Sequence, residues 1–209
     1  MVLQEISQAL QSGDVNGVKQ GVQQALNSNI EPRVVLYQGL LSAMETVGVK
    51  FKNNEVFVPE VLIAARAMNA GMELLKPKLA ETGVEPIGSV VLGTVRGDLH
   101  DIGKNLVRMM LEGAGLSVFD LGVDVSAQQF VAAIQKHNPE IVGLSALLTT
   151  TMGEMKSVIE AIEAAGLRGK VKIMVGGAPV TSKFAQEIGA DLYAKDAAEA
   201  SFEAKKLVG

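Results

Sequence analysis

Cysteine is absent from this chain, which excludes disulfides, iron–sulfur clusters, thiolate metal sites and cysteine nucleophiles. Histidine occurs only at His100 and His137, so imidazoles alone cannot build a protein-only metal centre. There is no basic run. Nineteen basic residues against 23 acidic ones leave a formal net charge of −4, which argues against a nucleic-acid surface. No stretch reaches the roughly 18 apolar residues of a membrane span. Met1-Val2-Leu3-Gln4-Glu5 lacks a basic region followed by an apolar core, so no signal peptide is expected and a cytoplasmic protein is the plain reading. Low-complexity segments and internal repeats are also missing.

What is present is an ordinary globular composition, 48% apolar and 20% charged, over 209 residues. That length suits one α/β domain or two small ones. The first part, to about residue 80, reads as helices. Leu3, Ile6, Ala9 and Leu10 form one apolar stripe, ended by Gly13-Asp14. Asp14 can cap a second helix over 15–27, and Pro32 opens a third with Val35, Leu36, Leu40, Ala43, Met44 and Val47 inward. After an interruption at 51–58, Pro59 starts a fourth helix, which is expected to stop before Pro77. Met68 and Met72 read as core of this four-helix bundle.

Residues 76–86 hold Pro77, Gly83 and Pro86 among charges and read as a linker. The expected domains are therefore 1–86, helical, and 87–209, α/β. Beyond the linker the pattern alternates. Strands are expected at 89–95, 116–121, 140–146, 171–176 and 191–194, with helices at 102–113, 127–137, 152–165, 181–188 and 197–206. Five such units predict a five-stranded, doubly wound parallel sheet.

Ligands in such sheets bind at the strand carboxyl ends. There the sequence places Asp98 and His100 after the first strand, Gly122-Val123-Asp124 after the second, Ser145 to Thr151 after the third and Gly176-Gly177 after the fourth. No glycine-rich nucleotide fingerprint or Gly-Lys-Ser/Thr sequence follows the first strand. His100 has two readings, a loop histidine making a structural hydrogen bond or a metal ligand oriented by Asp98. In the second, a prosthetic group must supply the remaining ligands, which points to a macrocycle. His137, at a helix end, reads as a surface residue.

Asp98-x-His100-x-x-Gly103, Ser145-x-Leu147 and Gly176-Gly177, in this order, resemble the cobalamin-binding module shared by methionine synthase and the corrinoid proteins of methyltransferase systems. With the helical segment included, the resemblance spans essentially the whole chain. It implies a Rossmann/flavodoxin-like cobalamin-binding domain with a cobalamin or related corrinoid cofactor. His100 would be the lower axial cobalt ligand, in a ligand triad with Asp98 and Thr151, where the family has serine. Ser145, Leu147, Thr149, Gly176 and Gly177 would line the groove for the nucleotide tail. Gly97, Asp101, Ile102 and Gly103 would adjoin the corrin, and Gly103 would let it lie close to the following helix. Phe51 and Val58 match positions that cap the methyl-bearing face, although both also read as ordinary core.

The resemblance further implies a methyl carrier, not catalytic alone, that serves a substrate-specific methyltransferase and a methyl-accepting methyltransferase and is maintained by a reductive activator. The donor stays open among methanol, methylamines and methoxylated aromatics. A cobalamin-dependent light sensor shares the module, but such proteins carry a DNA-binding segment and a tryptophan, and this chain has no tryptophan. The cobalamin subunit of a mutase normally lacks the capping bundle. A phosphoacceptor receiver domain needs an aspartate where this chain has Ser145.

Overall fold

The computed structural model describes residues 1–208, and Gly209, the last residue of the expected second domain, lies outside them. The chain divides into two compact units, one of Met1–Pro86 with Gly113–Gly115, the other of Ile87–Glu112 with the residues from Leu116 onward.

The first unit is helical. Helices α1 (Val2–Gln11) and α2 (Val15–Asn27) are followed by α3 (Pro32–Val34), a π-helical segment (Val35–Leu41) and α4 (Ser42–Lys52), which run on without a break. Helix α5 spans Val58–Glu81. Asp14 caps α2 by accepting the Gly17 N–H at 3.0 Å, and Glu60 Oε2 caps α5 by accepting the Phe57 N–H at 2.6 Å. The apolar stripes meet in a core that includes Ile6, Leu10, Val18, Leu40, Met44, Met68 and Leu75, while Met72 is only half-buried.

Two details depart from the periodicity. A wide π turn at 35–41 interrupts the third helix, a change of pitch that a 3.6-residue pattern does not announce. Helix α5 also does not stop before Pro77 but continues through it to Glu81. An interior proline costs a helix about 3 kcal/mol. Leu79, buried one turn beyond Leu75, recovers about 1.5–3 kcal/mol of that by leaving water. The irregular connection is accordingly 82–88 instead of 76–86.

The second unit alternates strand and helix: β1 (Ser89–Thr94), α6 (Ile102–Gly113), β2 (Ser117–Asp120), α7 (Ala127–His137), β3 (Ile141–Ser145), α8 (Gly153–Ala164), β4 (Lys172–Gly176), α9 (Ser182–Glu187), β5 (Leu192–Ala194) and α10 (Ala197–Val208). All pairings are parallel, in the order β2-β1-β3-β4-β5. Val91, Val142 and Ile173 are buried in one core with Phe130 of α7, Met155 and Ile159 of α8 and Ala185 of α9. Val90 and Leu92 alternate to the opposite face. Helices α6 and α10 are tied together by the Ser201 hydroxyl, which donates to the Met110 carbonyl at 3.1 Å. Every expected strand and helix of this unit forms, with ends shifted by one or two residues.

The strand order reverses direction between β1 and β3, so the crevice for a ligand opens at their carboxyl ends. Register pairs Thr94 with Ser145 and Ser145 with Gly176, which brings three of the loops singled out above to one edge.

Candidate functional site

Asp98, one of the few charged side chains with no exposed surface, lies at the centre of this edge. One carboxylate oxygen accepts the His100 backbone N–H at 3.1 Å and faces the His100 Nδ1 at 2.7 Å. The other accepts the backbone N–H groups of Leu147 and Leu148 at 2.7 and 3.2 Å and meets Thr151 Oγ1 at 2.8 Å. The Thr151 hydroxyl also lies 2.9 Å from the Leu148 carbonyl, and its single proton goes to the stronger acceptor, the carboxylate.

Burial pushes the Asp98 carboxyl up, but the hydrogen bonds from Leu147, His100 and Thr151 outweigh it and hold the group well below the usual carboxylate range. An ionised carboxylate can only accept. His100 Nδ1 therefore carries a proton toward Asp98, and Nε2 is the ring nitrogen left for a metal. The imidazole is 51% exposed although its partner is wholly buried. It is an oriented donor aimed outward.

The surroundings of His100 are apolar in an unusual way. Leu99 is 71% and Ile102 78% exposed, and Leu147 and Leu148 are also exposed beside the amides that bind Asp98. Val123 stands at the end of the neighbouring β2 loop. At Gly103 a Cβ would meet nothing within 4 Å, so its surface is open. Among the described residues no three His, Cys, Asp or Glu side chains group as a metal site. A metal at Nε2 must therefore bring its own ligands. A flat, largely apolar macrocycle fits both the donor and the exposed rim.

The remaining residues take different places. Gly97, at φ +78°, donates its N–H to Asp124 Oδ1 at 2.7 Å. Asp101 is exposed and accepts from the Asn105 amide at 3.0 Å. Ser145 ends β3 half-buried, and Thr149 is exposed on the following loop. A Cβ on Gly177, at φ +135°, would collide with the Ala146 carbonyl, and one on Gly176 would sit 2.9 Å from the Ala194 carbonyl. Backbone packing thus requires glycine at 177 before any ligand is considered. Phe51, half-buried, lies in the last turn of α4, and Val58, also half-buried, is the first residue of α5 in the helical unit. His137 is not a plain surface residue. Its ring stacks on Phe119 with centroids 3.9 Å apart.

Sequence reasoning missed several groups here. Lys104, 3% exposed, meets both Asp120 carboxylate oxygens at 2.6 Å, and Thr94, fully buried at the end of β1, donates its hydroxyl to the His100 carbonyl at 2.9 Å. A threonine closing an apolar strand was the available signal.

Comparison with known proteins agrees with this geometry. Residues 88–204 match the B12 binding domain family, and residues 2–76 match a second family described as B12 binding domain. The chain is 44% identical to the dimethylamine corrinoid protein of Methanosarcina barkeri, covering 99% of this chain and 97% of that one. A corrinoid protein of Desulfitobacterium hafniense is 41% identical over 100% of this chain and 98% of its own. Among solved structures, the methanol:cobalamin methyltransferase complex of Methanosarcina barkeri aligns with a TM-score of 0.89 at 32% identity, over 99% of this chain and 79% of that chain.

Proposed function

Because the chain belongs to the family of B12-binding corrinoid proteins, we propose that it carries methyl groups on a bound corrinoid between two methyltransferases. The single observation that carries this reading is the Asp98–His100 pair, which engages Nδ1 and leaves Nε2 of a half-exposed ring for a metal among exposed apolar side chains. When bound, a corrinoid supplies a cobalt centre that accepts a methyl group from one partner and yields it to another.

His100 would hold the cobalt through its ring. Asp98 keeps its Nδ1 protonated and its ring plane fixed, and Thr151 with the Leu147 and Leu148 amides keeps Asp98 ionised. Gly97, Asp101, Ile102 and Gly103 form the rim against the macrocycle. Ser145, Leu147, Thr149, Gly176 and Gly177 form the groove for its nucleotide tail. Phe51 and Val58 are proposed as methyl-cap residues, with residues 1–86 serving as a cap domain and 87–209 as the cofactor domain.

The partners are a substrate-specific methyltransferase, a methyl-accepting methyltransferase and a reductive activator, met in the cytoplasm. A methylamine is the favoured donor, because the relatives that share it in name are more than 40% identical over nearly the whole chain. The methanol system's solved structure stands at 32%.

Reconstitution with hydroxocobalamin, followed by reduction to cobalt(II), tests the reading. The electron paramagnetic resonance spectrum should show nitrogen hyperfine splitting from an axial imidazole, and His100→Ala should abolish the splitting. A wild type that takes up no corrinoid, or splitting that survives the substitution, overturns the assignment.

A further inference from the structure

We infer that Asp124 and Thr94 are positioning residues for His100, setting the backbone of its loop alongside the Asp98 carboxylate. The inference rests on the reading of His100 as a cobalt ligand.

Asp124 stands on the loop after β2, and its two polar ends grip the residues on either side of the Gly97–Asp98 peptide. Its carboxylate accepts the Gly97 N–H at 2.7 Å, and its own N–H donates to the Asp98 carbonyl at 3.0 Å. The residue holds φ +54°, a left-handed conformation that a non-glycine residue occupies only when its surroundings over-determine it. Those surroundings are visible. The Thr94 N–H donates to the Gly122 carbonyl and the Val125 N–H to the Thr94 carbonyl, both at 3.0 Å, so 122–125 is laid along the end of β1. Asp124 is thus a fixed post with a strained backbone and a carboxylate turned toward the His100 loop.

Thr94 reaches the same loop from below. It is wholly buried, and its hydroxyl donates 2.9 Å to the carbonyl of His100 itself. The Asp98 side chain orients the imidazole ring and accepts the His100 N–H, while Thr94 holds the His100 carbonyl and Asp124 holds the backbone of Gly97 and Asp98. An axial bond to cobalt is sensitive to both. Partners one step behind a metal ligand typically change metal affinity 10- to 100-fold when removed. Leu99, Ile102 and the His100 ring are all exposed, so burial of these side chains does little to hold the loop, which relies on these bonds together with those of Asp98.

Four variants separate positioning from bulk stability. Asp124→Gly removes the carboxylate yet accepts the positive φ, whereas Asp124→Asn keeps an acceptor and tolerates that φ. Thr94→Val removes the hydroxyl at nearly constant shape, and Thr94→Ser retains it. Ser201→Ala, which loses a hydrogen bond elsewhere in the same unit, is the stability control.

In the cobalt(II) cobalamin-loaded protein, Asp124→Gly and Thr94→Val should each lower the ratio of imidazole-bound to unbound cobalt by roughly tenfold or more. Asp124→Asn, Thr94→Ser and the Ser201→Ala control should hold the wild-type ratio. In the cofactor-free protein, amide exchange across 97–100 should accelerate in Asp124→Gly and Thr94→Val alone. Wild-type splitting that is insensitive to both variants, or unchanged amide exchange, overturns the inference. Wild-type protein without any imidazole splitting refutes the ligand reading, and the inference falls with it.

Discussion

Thr151 Oγ1 lies 2.8 Å from Asp98 Oδ2, joining the loop after β3 to the loop after β1 across 53 residues of sequence. Neither group is exposed to an extent that lets water replace the other. A buried carboxylate whose donors arrive from a different strand ties the geometry of His100 to the register of β1 on β3.

Thr151→Val deletes a hydroxyl donor to a buried charge at little change in shape. The expected loss of folding stability is about 1.5–3 kcal/mol, read from urea denaturation midpoints. Thr151→Ser, which keeps the hydroxyl, should recover most of it. A stable Thr151→Val beside a destabilised Thr151→Ser would mean that the methyl group, not the hydrogen bond, matters.

Asp98→Asn tests the tautomer argument. A neutral amide can present its NH2 to His100 and no longer compels the proton onto Nδ1. Nitrogen-15 chemical shifts of the imidazole in the cofactor-free protein should move from the Nδ1–H form toward a mixture. A spectrum identical to the wild type at neutral pH would show that Asp98 does not set the proton's place.

Two glycines should behave oppositely. Gly177→Ala places a methyl group against the Ala146 carbonyl at φ +135° and should lower stability by several kcal/mol in a thermal melt. Gly103→Ala meets nothing and adds helix propensity, about 0.5–1 kcal/mol in favour of folding. Its predicted defect lies only in corrinoid uptake, as weaker retention of hydroxocobalamin on gel filtration. Undiminished retention would remove Gly103 from the corrin surface.

Lys104→Met breaks the ion pair with Asp120 at the end of β2. The lysine is almost fully buried, and its loss leaves Asp120 without its closest cation, so a cost of about 3 kcal/mol is expected. A variant as stable as the wild type in urea would show that desolvation of the pair cancels its attraction.

Glu140 supplies a pH signature at the opposite end of the sheet. Partial burial raises its carboxyl, but the Ser89 N–H and hydroxyl, at 2.7 and 2.9 Å, hold it below its usual value. Because the folded value is depressed, the stabilisation is full above the unfolded value of about 4.3 and fades as pH falls through the folded one. The group is exposed, so the effect is modest, at most about 1 kcal/mol. Wild type should exceed Glu140→Gln in urea midpoint at neutral pH and lose that margin in acid. A margin constant with pH would assign it to something other than the charge.

The α/β unit was legible almost residue by residue, because buried parallel strands read as short β-branched runs and glycines mark the helix ends. The helical unit was less so. Pro77 looked like a stop, since the burial of Leu79 that offsets it is a tertiary fact. The π turn at 35–41 likewise leaves the stripe from Val35 to Val47 intact and gives no periodic sign. At the site, Asp98 and His100 were visible because they share a loop at a strand end, whereas Thr151 stood out from its loop only through the resemblance to the cobalamin-binding module. Lys104, Thr94 and Asp124 acquire their parts only through partners 16, 6 and 27 positions away, respectively.

The sequence by itself determined the chemistry available: no thiols, two imidazoles, and one aspartate–histidine pair at a strand end, so that a metal held by His100 had to find its other ligands beyond thiolates and imidazoles. It also determined the order of strands and helices, because pattern period and chain direction are local properties. The tertiary structure alone decided that Asp98 is wholly buried and ionised while His100 stays half exposed, and hence which ring nitrogen faces outward. That outcome depends on two amides and a hydroxyl contributed from the β3 loop, whose convergence on one carboxylate follows from sheet register and not from spacing along the chain.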